Sequence, residues 1–447
     1  MVSNPSLRQG IPPKTGCYLL CLRPATTGAQ AEIPATIAAP EQVFGSTAVA
    51  ALPATGDQRM TLHLDRRQAL AAGLSAAAGT LVPASASLSA SAEGPAGASG
   101  PPVGSLPLRH RVWQLGSDQR GPGSLEQVER TLAAPAPDEV VVEVLASALN
   151  NRDLQLLRQA YGPAQPAERI PVGDGAGVVV AVGAQVEGIT LGQRVTAPHF
   201  VSWLDGAYRP EVFAADLGIT RDGWLAEYIT LPAAALVPVP ESMSFEQAAA
   251  LGAAGITAWR VLVEFAGLRA GDTVLALGTG GVATLGLQIA RMHGARVAIT
   301  SSSDDKLAVA RELGAEITVN YRNEPDWDRA VLEATGGRGV DIVLETVGFG
   351  TLPQSLRCCA PNGRIGVLGS LDPGGDRVPN LSTMLLRNLR VEGVTSGSRR
   401  MLAELLQACA VNGISPHIDR RFGFDEAREA LEYLAGGEHV GKVVISS

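Results

Sequence analysis

Lysine is almost missing: Lys14, Lys306 and Lys442 are the only three in 447 residues, so arginine carries nearly all the positive charge. With a net charge of −8 and no basic cluster to track a phosphate backbone, the composition argues against a nucleic-acid partner. No uninterrupted apolar run approaches the length of a membrane span. The five cysteines are scattered: Cys358 and Cys359 adjoin, Cys409 stands alone, and Cys17 and Cys21 lie in unpatterned sequence. No CxxC pair and no Cys/His group has metal-ligand spacing, which argues against both a structural zinc and a disulfide framework. What remains is 46% apolar and 18% charged, the balance of an α/β protein long enough for two domains.

Residues 1–104 carry no sustained period of 2 or 3.6 and are rich in Ala, Ser, Pro, Gly and Thr, so they read as a disordered, low-complexity leader. Inside it, residues 60–92 resemble a twin-arginine export signal. Arg66-Arg67 is followed by a weakly apolar run to Val82 and by the A-x-A sites Ala84-Ser85-Ala86 and Ala90-Ser91-Ala92. Export to the periplasm is therefore expected over a cytoplasmic location, with translation starting at Met60; the alternative is a leader with a chance arginine pair. The Ala, Gly and Arg bias suggests a GC-rich bacterial genome.

From Leu106 to about Val237 come short β-type runs broken by Gly and Pro: Glu139–Leu149, Gly175–Val182, Arg194–Ala197, Leu225–Leu231 and Ala235–Pro238. After Ser244 strands alternate with helices, which implies a parallel sheet with helical crossovers. Strands are expected at Thr273–Leu277, Arg296–Thr300, Glu316–Asn320, Asp341–Glu345, Arg364–Leu368 and Leu389–Val394. Helices are expected at Val282–Met292, Asp304–Leu313, Trp327–Thr335 and Leu352–Cys359. This rhythm predicts a Rossmann-type doubly wound sheet over 238–398. The tail, 399–447, carries a helix (Asp425–Leu434) and a last strand (Gly441–Ile445) that return to the first domain, 105–237.

The first Rossmann strand runs into Gly278-Thr279-Gly280-Gly281-Val282-Ala283-Thr284-Leu285-Gly286, a G-x-G-x-x-A turn opening an apolar helix. Gly278 permits the turn, Gly280 lets the backbone approach a pyrophosphate, and Ala283 lets helix and strand pack closely. Amides at the helix N-terminus then face the negative charge. The second strand ends in Ser301 and Ser302, followed by Asp304 and Lys306, where an NAD site usually places a carboxylate for the ribose. Hydroxyls and an ammonium there, with Tyr321 and Arg322 nearby, favour NADP(H) over NAD(H).

In order, Asn150-Asn151-Arg152-Asp153 with Tyr161-Gly162, Gly173-Asp174-Gly175-Ala176-Gly177, Gly192-Gln193-Arg194-Val195, Gly223-Trp224-Leu225-Ala226-Glu227-Tyr228, Gly255-Ile256-Thr257-Ala258 and the glycine turn resemble the medium-chain dehydrogenase/reductase superfamily, near its zinc-free quinone oxidoreductase-like members. The resemblance covers 137–445 and implies a GroES-like, β-rich substrate domain, a Rossmann domain and a cleft between them. It places Thr257 beside the nicotinamide, Ser301 and Lys306 at the adenosine phosphate, and Val347, Gly348, Val367 and Gly369 along the cofactor cleft. Asn150, Asp153 and Tyr161 fall on the substrate side. Zinc-dependent members put a cysteine near Asn150 and a histidine near Asp174, and their structural-zinc lobe needs four cysteines where residues 197–223 have none. His199, alone in that stretch, reads as a surface or core residue. Trp203, Phe200 and Tyr208 read either as substrate wall or as core of their loop.

The expectation is a zinc-independent, NADP(H)-dependent oxidoreductase that reduces a quinone, enone or aldehyde, with Tyr161 the candidate proton donor. The alternatives are an enoyl-thioester reductase and a catalytically weak NADP-binding protein. A small molecule is the expected partner, and pairing of two copies through the last Rossmann strand is implied by the resemblance.

Overall fold

The computed structural model describes residue 106 and residues 109–117, 121–158, 160, 166–369 and 378–447. The leader with its paired arginines, and Tyr161, lie outside the described residues.

An antiparallel hairpin comes first, β1 (Arg109–Leu115) on β2 (Leu125–Thr131), with Leu115 opposite Leu125. Then follow β3 (Glu139–Leu149), helix α1 (Asn151–Leu157), β4 (Asp174–Val182), β5 (Arg194–Thr196), β6 (Tyr228–Pro232) and β7 (Val237–Pro238). Helices α2 (Phe245–Ala250) and α3 (Ala253–Trp259) lead on, and α3 continues into a π-helical turn at Arg260–Phe265. The alternating region is β8 (Thr273–Leu277), α4 (Gly281–Met292), β9 (Arg296–Ser301), α5 (Asp304–Glu312), β10 (Ile317–Asn320), α6 (Trp327–Ala334), β11 (Val340–Glu345), α7 (Leu352–Cys358), β12 (Cys359–Val367), α8 (Leu381–Arg387) and β13 (Arg390–Gly393). The chain ends with α9 (Arg399–Asn412), β14 (Ile418–Gly423), α10 (Ala427–Gly436) and β15 (Lys442–Ser446).

The six strands β8 to β13 form one parallel sheet in the order β10-β9-β8-β11-β12-β13, the doubly wound arrangement whose order reverses between β8 and β11. Both faces are covered, which is why its strands are continuous apolar runs instead of alternating ones. On β8, Val274 and Ala276 enter one core while Leu275 and Leu277 enter the other. The second sheet runs β14-β15-β3-β4-β5-β7, with β6 also paired to β3. β15 lies antiparallel on the end of β3, Val443 opposite Leu149, so the last strand reaches the residues just before Asn150.

The expected strands recur with shifted ends. The Leu225–Leu231 run starts as a strand only at Tyr228, because Trp224 and Leu225 spend their backbone groups on Val172 and Trp113 instead. The Arg364–Leu368 strand begins earlier, at Cys359, where two apolar cysteines join the core beneath the sheet. The β1–β2 hairpin, α8, α9 and β14 are additions that the sequence reading lacked.

Candidate active-site cleft

At the end of β8 the chain turns at Gly278, whose φ of 79° suits glycine and strains any other residue. Its amide donates to Thr300 Oγ1 at 3.3 Å, fixing the turn to β9. Gly280 is the N-cap of α4 and offers no side chain, so the first-turn amides of a twelve-residue helix stay available. A Cβ added at Gly278 or Gly280 would meet nothing within 4 Å, so the turn borders open space of the kind a pyrophosphate fills. Thr279 Oγ1 sits 3.4 Å from Ser301 Oγ, Val282 is half-buried, and Ala283 is buried. The tightest approach of α4 to the sheet falls at Gly286, where a Cβ would lie 2.2 Å from Leu344 Cδ1.

Farther along, Ser301 is buried and Ser302 half-buried at the end of β9. Lys306 Nζ donates to the Gly437 carbonyl at 2.5 Å, tying α5 to the end of α10. Asp304 accepts from Asn320 Nδ2 at 3.0 Å, so its carboxylate is held toward β10. Tyr321 is exposed just beyond β10. At the end of β11, Val347 and Gly348 donate their amides to the buried Glu345 carboxylate, 3.1 Å each, and Thr351 and Ser355 add hydroxyls at 2.7 and 2.5 Å. Glu345 therefore shapes the turn that carries Val347 and Gly348. Its signal in the sequence is an acid closing an otherwise apolar strand. Val367 is half-buried, and a Cβ on Gly369 would lie 1.9 Å from the Thr346 carbonyl, which brings the ends of β11 and β12 together.

Beside the second sheet, Asp153 accepts the Asn150 amide at 2.8 Å and closes the first turn of α1. This leaves the Asn150 carboxamide for longer-range bonds. Its Nδ2 donates to Asp174 at 2.8 Å, and its Oδ1 accepts from Lys442 Nζ at 2.6 Å; the same ammonium donates to the Leu149 carbonyl at 2.7 Å. Both Asp174 oxygens lie 2.9 Å from the Ala253 amide at the start of α3. One turn on, Thr257 is buried with its hydroxyl donating to the Ala253 carbonyl at 2.6 Å. Burial raises the Asp153 carboxyl to about 6 against the opposing charge of Arg152, with Asp174 adding to the rise. Burial lowers the Lys442 ammonium, while Asp174 and Asp153 pull the other way. Lys442 was missed because the signal, a lysine in a nearly lysine-free chain, lies some 290 residues from its partners.

A second buried group borders this one. His199 Nδ1 and Arg152 Nη2 each lie 2.8 Å from Asp216 Oδ1, and all three residues are largely enclosed. His199 is held below its ordinary value by burial and by Arg152, with Asp216 and Asp174 pulling upward. Burial pushes Asp216 up, but His199 and Arg152 outweigh it and hold the carboxyl low. His199 is thus a paired, buried residue. Phe200, Trp203 and Val212 form a small core of their own with Tyr208 and Phe213, so those aromatics are the interior of their loop.

The described chain matches two family models, the alcohol dehydrogenase GroES-like domain over residues 136–241 and the zinc-binding dehydrogenase model over 281–410. It is 39% identical to a zinc-type alcohol dehydrogenase-like protein of Schizosaccharomyces pombe, over 74% of this chain and 96% of that protein. It is 31% identical to a 2-methylene-furan-3-one reductase of Solanum lycopersicum, over 76% and 80%. Among solved structures, a presumed alcohol dehydrogenase from Sinorhizobium meliloti 1021 superposes with a TM-score of 0.72 at 38% identity, covering 77% of this chain and all of that one.

Proposed function

The chain belongs to the medium-chain dehydrogenase/reductase superfamily and is a nicotinamide-dependent oxidoreductase; from that premise we propose that it is a zinc-independent, NADP(H)-dependent reductase of quinones, enones or aldehydes. The observation that carries the zinc-free reading is the donor set at the substrate end. Asn150 and Asp174 stand near where the resemblance puts the cysteine and histidine of zinc-dependent members. A neutral carboxamide is a poor zinc ligand. Asn150 Oδ1 is moreover taken by the Lys442 ammonium, and both Asp174 oxygens by the Ala253 amide. Such a set does not fit a metal, and no step is assigned to one.

The dinucleotide does fit. Gly278, Thr279, Gly280, Gly281, Val282 and Ala283 would cradle its pyrophosphate, and Ser301, Ser302, Lys306 and Tyr321 would receive the adenosine end. Val347, Gly348, Val367, Gly369 and Thr257 would line the nicotinamide end. Once bound, the nicotinamide supplies the hydride. The protein's part is to hold Asn150, Asp153, Asp174 and Lys442 as one bonded group beside the acceptor, with the ends of β11 and β12 drawn together at Gly369. The enone class is supported by the likeness to the 2-methylene-furan-3-one reductase. The Asp304 carboxylate, held by Asn320 Nδ2, supports NADP(H) over NAD(H).

Consumption of NADPH with a panel of quinones, enones, aldehydes and enoyl thioesters tests the reading. Tight NADPH binding with no turnover would leave a binding protein, tighter NADH binding would overturn the cofactor assignment, and stoichiometric zinc by elemental analysis would overturn the metal-free chemistry. We also propose a homodimer through the sheet edge at β13, with Val378, Leu381, Leu385 and Leu386 exposed in the segment that precedes it. Antiparallel pairing about Val391 would set Arg390 opposite Glu392 of a second copy. Light scattering that finds a monomer would refute it.

A further inference from the structure

We propose that His199 and Asp216 form the proton-transfer pair of this enzyme, with Arg152 as the residue that positions Asp216; the inference rests on the oxidoreductase reading above. The pair has the arrangement of a base oriented by a carboxylate, with the imidazole Nδ1 committed to Asp216 Oδ1 at 2.8 Å. Nε2 has no hydrogen-bond partner among the described residues, and the Phe200 ring lies 4.0 Å from the imidazole centroid, which holds the ring plane. Arg152 donates to the same Asp216 oxygen and to the Leu217 carbonyl, so the carboxylate cannot swing away from the imidazole. The position is at the substrate end. His199 Cβ and Arg152 Nη1 both border Gly173, the residue before Asp174, where a Cβ would lie 3.1 and 2.6 Å from them. Asp174 in turn touches Asn150 and the start of the helix bearing Thr257.

Three charged groups face the imidazole: Asp216, Arg152 and Asp174. Burial and Arg152 favour the neutral ring, whose free Nε2 can take the hydroxyl proton when an alcohol is oxidised. In the reducing direction the balance is equally simple. A dihydronicotinamide held at the glycine turn would supply the hydride for the new C–H bond, with the carbonyl π pair moving to oxygen. The imidazolium Nε2–H gives its proton to that oxygen, and solvent reprotonates the ring. The carbonyl is reduced, the dihydronicotinamide is oxidised, and no other co-reactant is needed. No other described histidine has such a carboxylate-oriented ring at this end of the cleft. His110 and His439 have unpartnered Nδ1 atoms, and His293 Nδ1 pairs with its own helix.

The test uses the full chain and whichever carbonyl of the panel is turned over. His199→Gln is expected to lower kcat at least a hundredfold while NADPH affinity stays within threefold. The pH dependence assigned to the imidazole should disappear, and added imidazole should restore part of the rate. Asp216→Asn should give an intermediate loss, and Arg152→Lys a smaller one. Unchanged kcat and pH profile in His199→Gln would overturn the pair, as would a loss in which NADPH affinity falls in step and imidazole does nothing. If His199→Gln does not fold, His199→Asn and the kinetic pH profile of Asp216→Asn carry the same test. Absence of turnover in the unaltered chain would instead defeat the oxidoreductase reading, so the two failures are distinct.

Discussion

The two ends of the proposed site are built by different means. At the dinucleotide end the backbone does the work: a glycine at positive φ, a helix start without a side chain, and strand ends drawn together at Gly369. At the substrate end side chains do it, and Asn150, Asp153, Asp174, His199, Asp216 and Lys442 arrive from segments far apart in the chain. Backbone-built sites should tolerate loss of any one side chain and fail when a Cβ is added. Side-chain-built sites should fail on single truncations and respond to pH.

Glu345 is the exception that sharpens the contrast, because a single carboxylate holds the backbone at the dinucleotide end through four donors. Its truncation in Glu345→Ala strands those donors in a buried place and should cost about 3–5 kcal/mol in denaturant unfolding. A cost under about 1 kcal/mol would mean that water replaces the carboxylate.

Two glycines of one turn separate binding from folding. Gly280 has ordinary backbone angles and open space beyond its Cα, so Gly280→Val should leave the melting temperature nearly unchanged while weakening NADPH about a hundredfold through blocked approach to the pyrophosphate. Gly286→Val should do the reverse. Its side chain would collide with Leu344, costing about 1–3 kcal/mol of stability with the turn's amides intact. Equal losses of both properties in both variants would dissolve the distinction.

This division also explains what could be read from the sequence. The six Rossmann strands and the glycine turn were legible because each is announced locally, by an apolar run or by glycine spacing. The hairpin at Arg109–Thr131 and helix Arg399–Asn412 were not, since the first mixes charged residues with the buried Val112, Trp113, Leu115 and Leu125 and the second follows the expected end of the Rossmann unit. Asn150 and Asp174 were visible as departures from a pattern, but their bond to each other and to Lys442 depends on β15 lying beside β3, a pairing of chain ends that no local signal reports. His199 looked solitary for the same reason: Asp216 comes seventeen residues later, across a loop.

The substrate end should show its character in pH. Asp153 titrates near 6 when folded, above its ordinary 3.8, so the folded chain holds that proton more tightly than the unfolded one. Its contribution to stability is therefore complete below about pH 4 and is lost as pH rises through about 6. At roughly 1.4 kcal/mol per unit, Asp153→Asn should gain about 2 kcal/mol on the unaltered chain between pH 4 and pH 7. Parallel stability curves for the two proteins would show that the carboxyl titrates normally.

The smallest effect is expected at the adenosine end, where backbone and side chain share the task. Lys306 is exposed enough to be screened, and one of its protons is already given to Gly437, so it can offer a 2′-phosphate only part of its hydrogen-bonding capacity. Lys306→Met should weaken NADPH about tenfold, a charge-assisted bond discounted for exposure, and leave NADH unchanged. The direction of that difference is the informative part. If NADH weakens equally, the lysine acts by tying α5 to α10, and cofactor choice rests on the serines. If neither weakens, the 2′-phosphate is read by backbone amides and the hydroxyls of Ser301 and Ser302, and the dinucleotide end is a backbone site throughout.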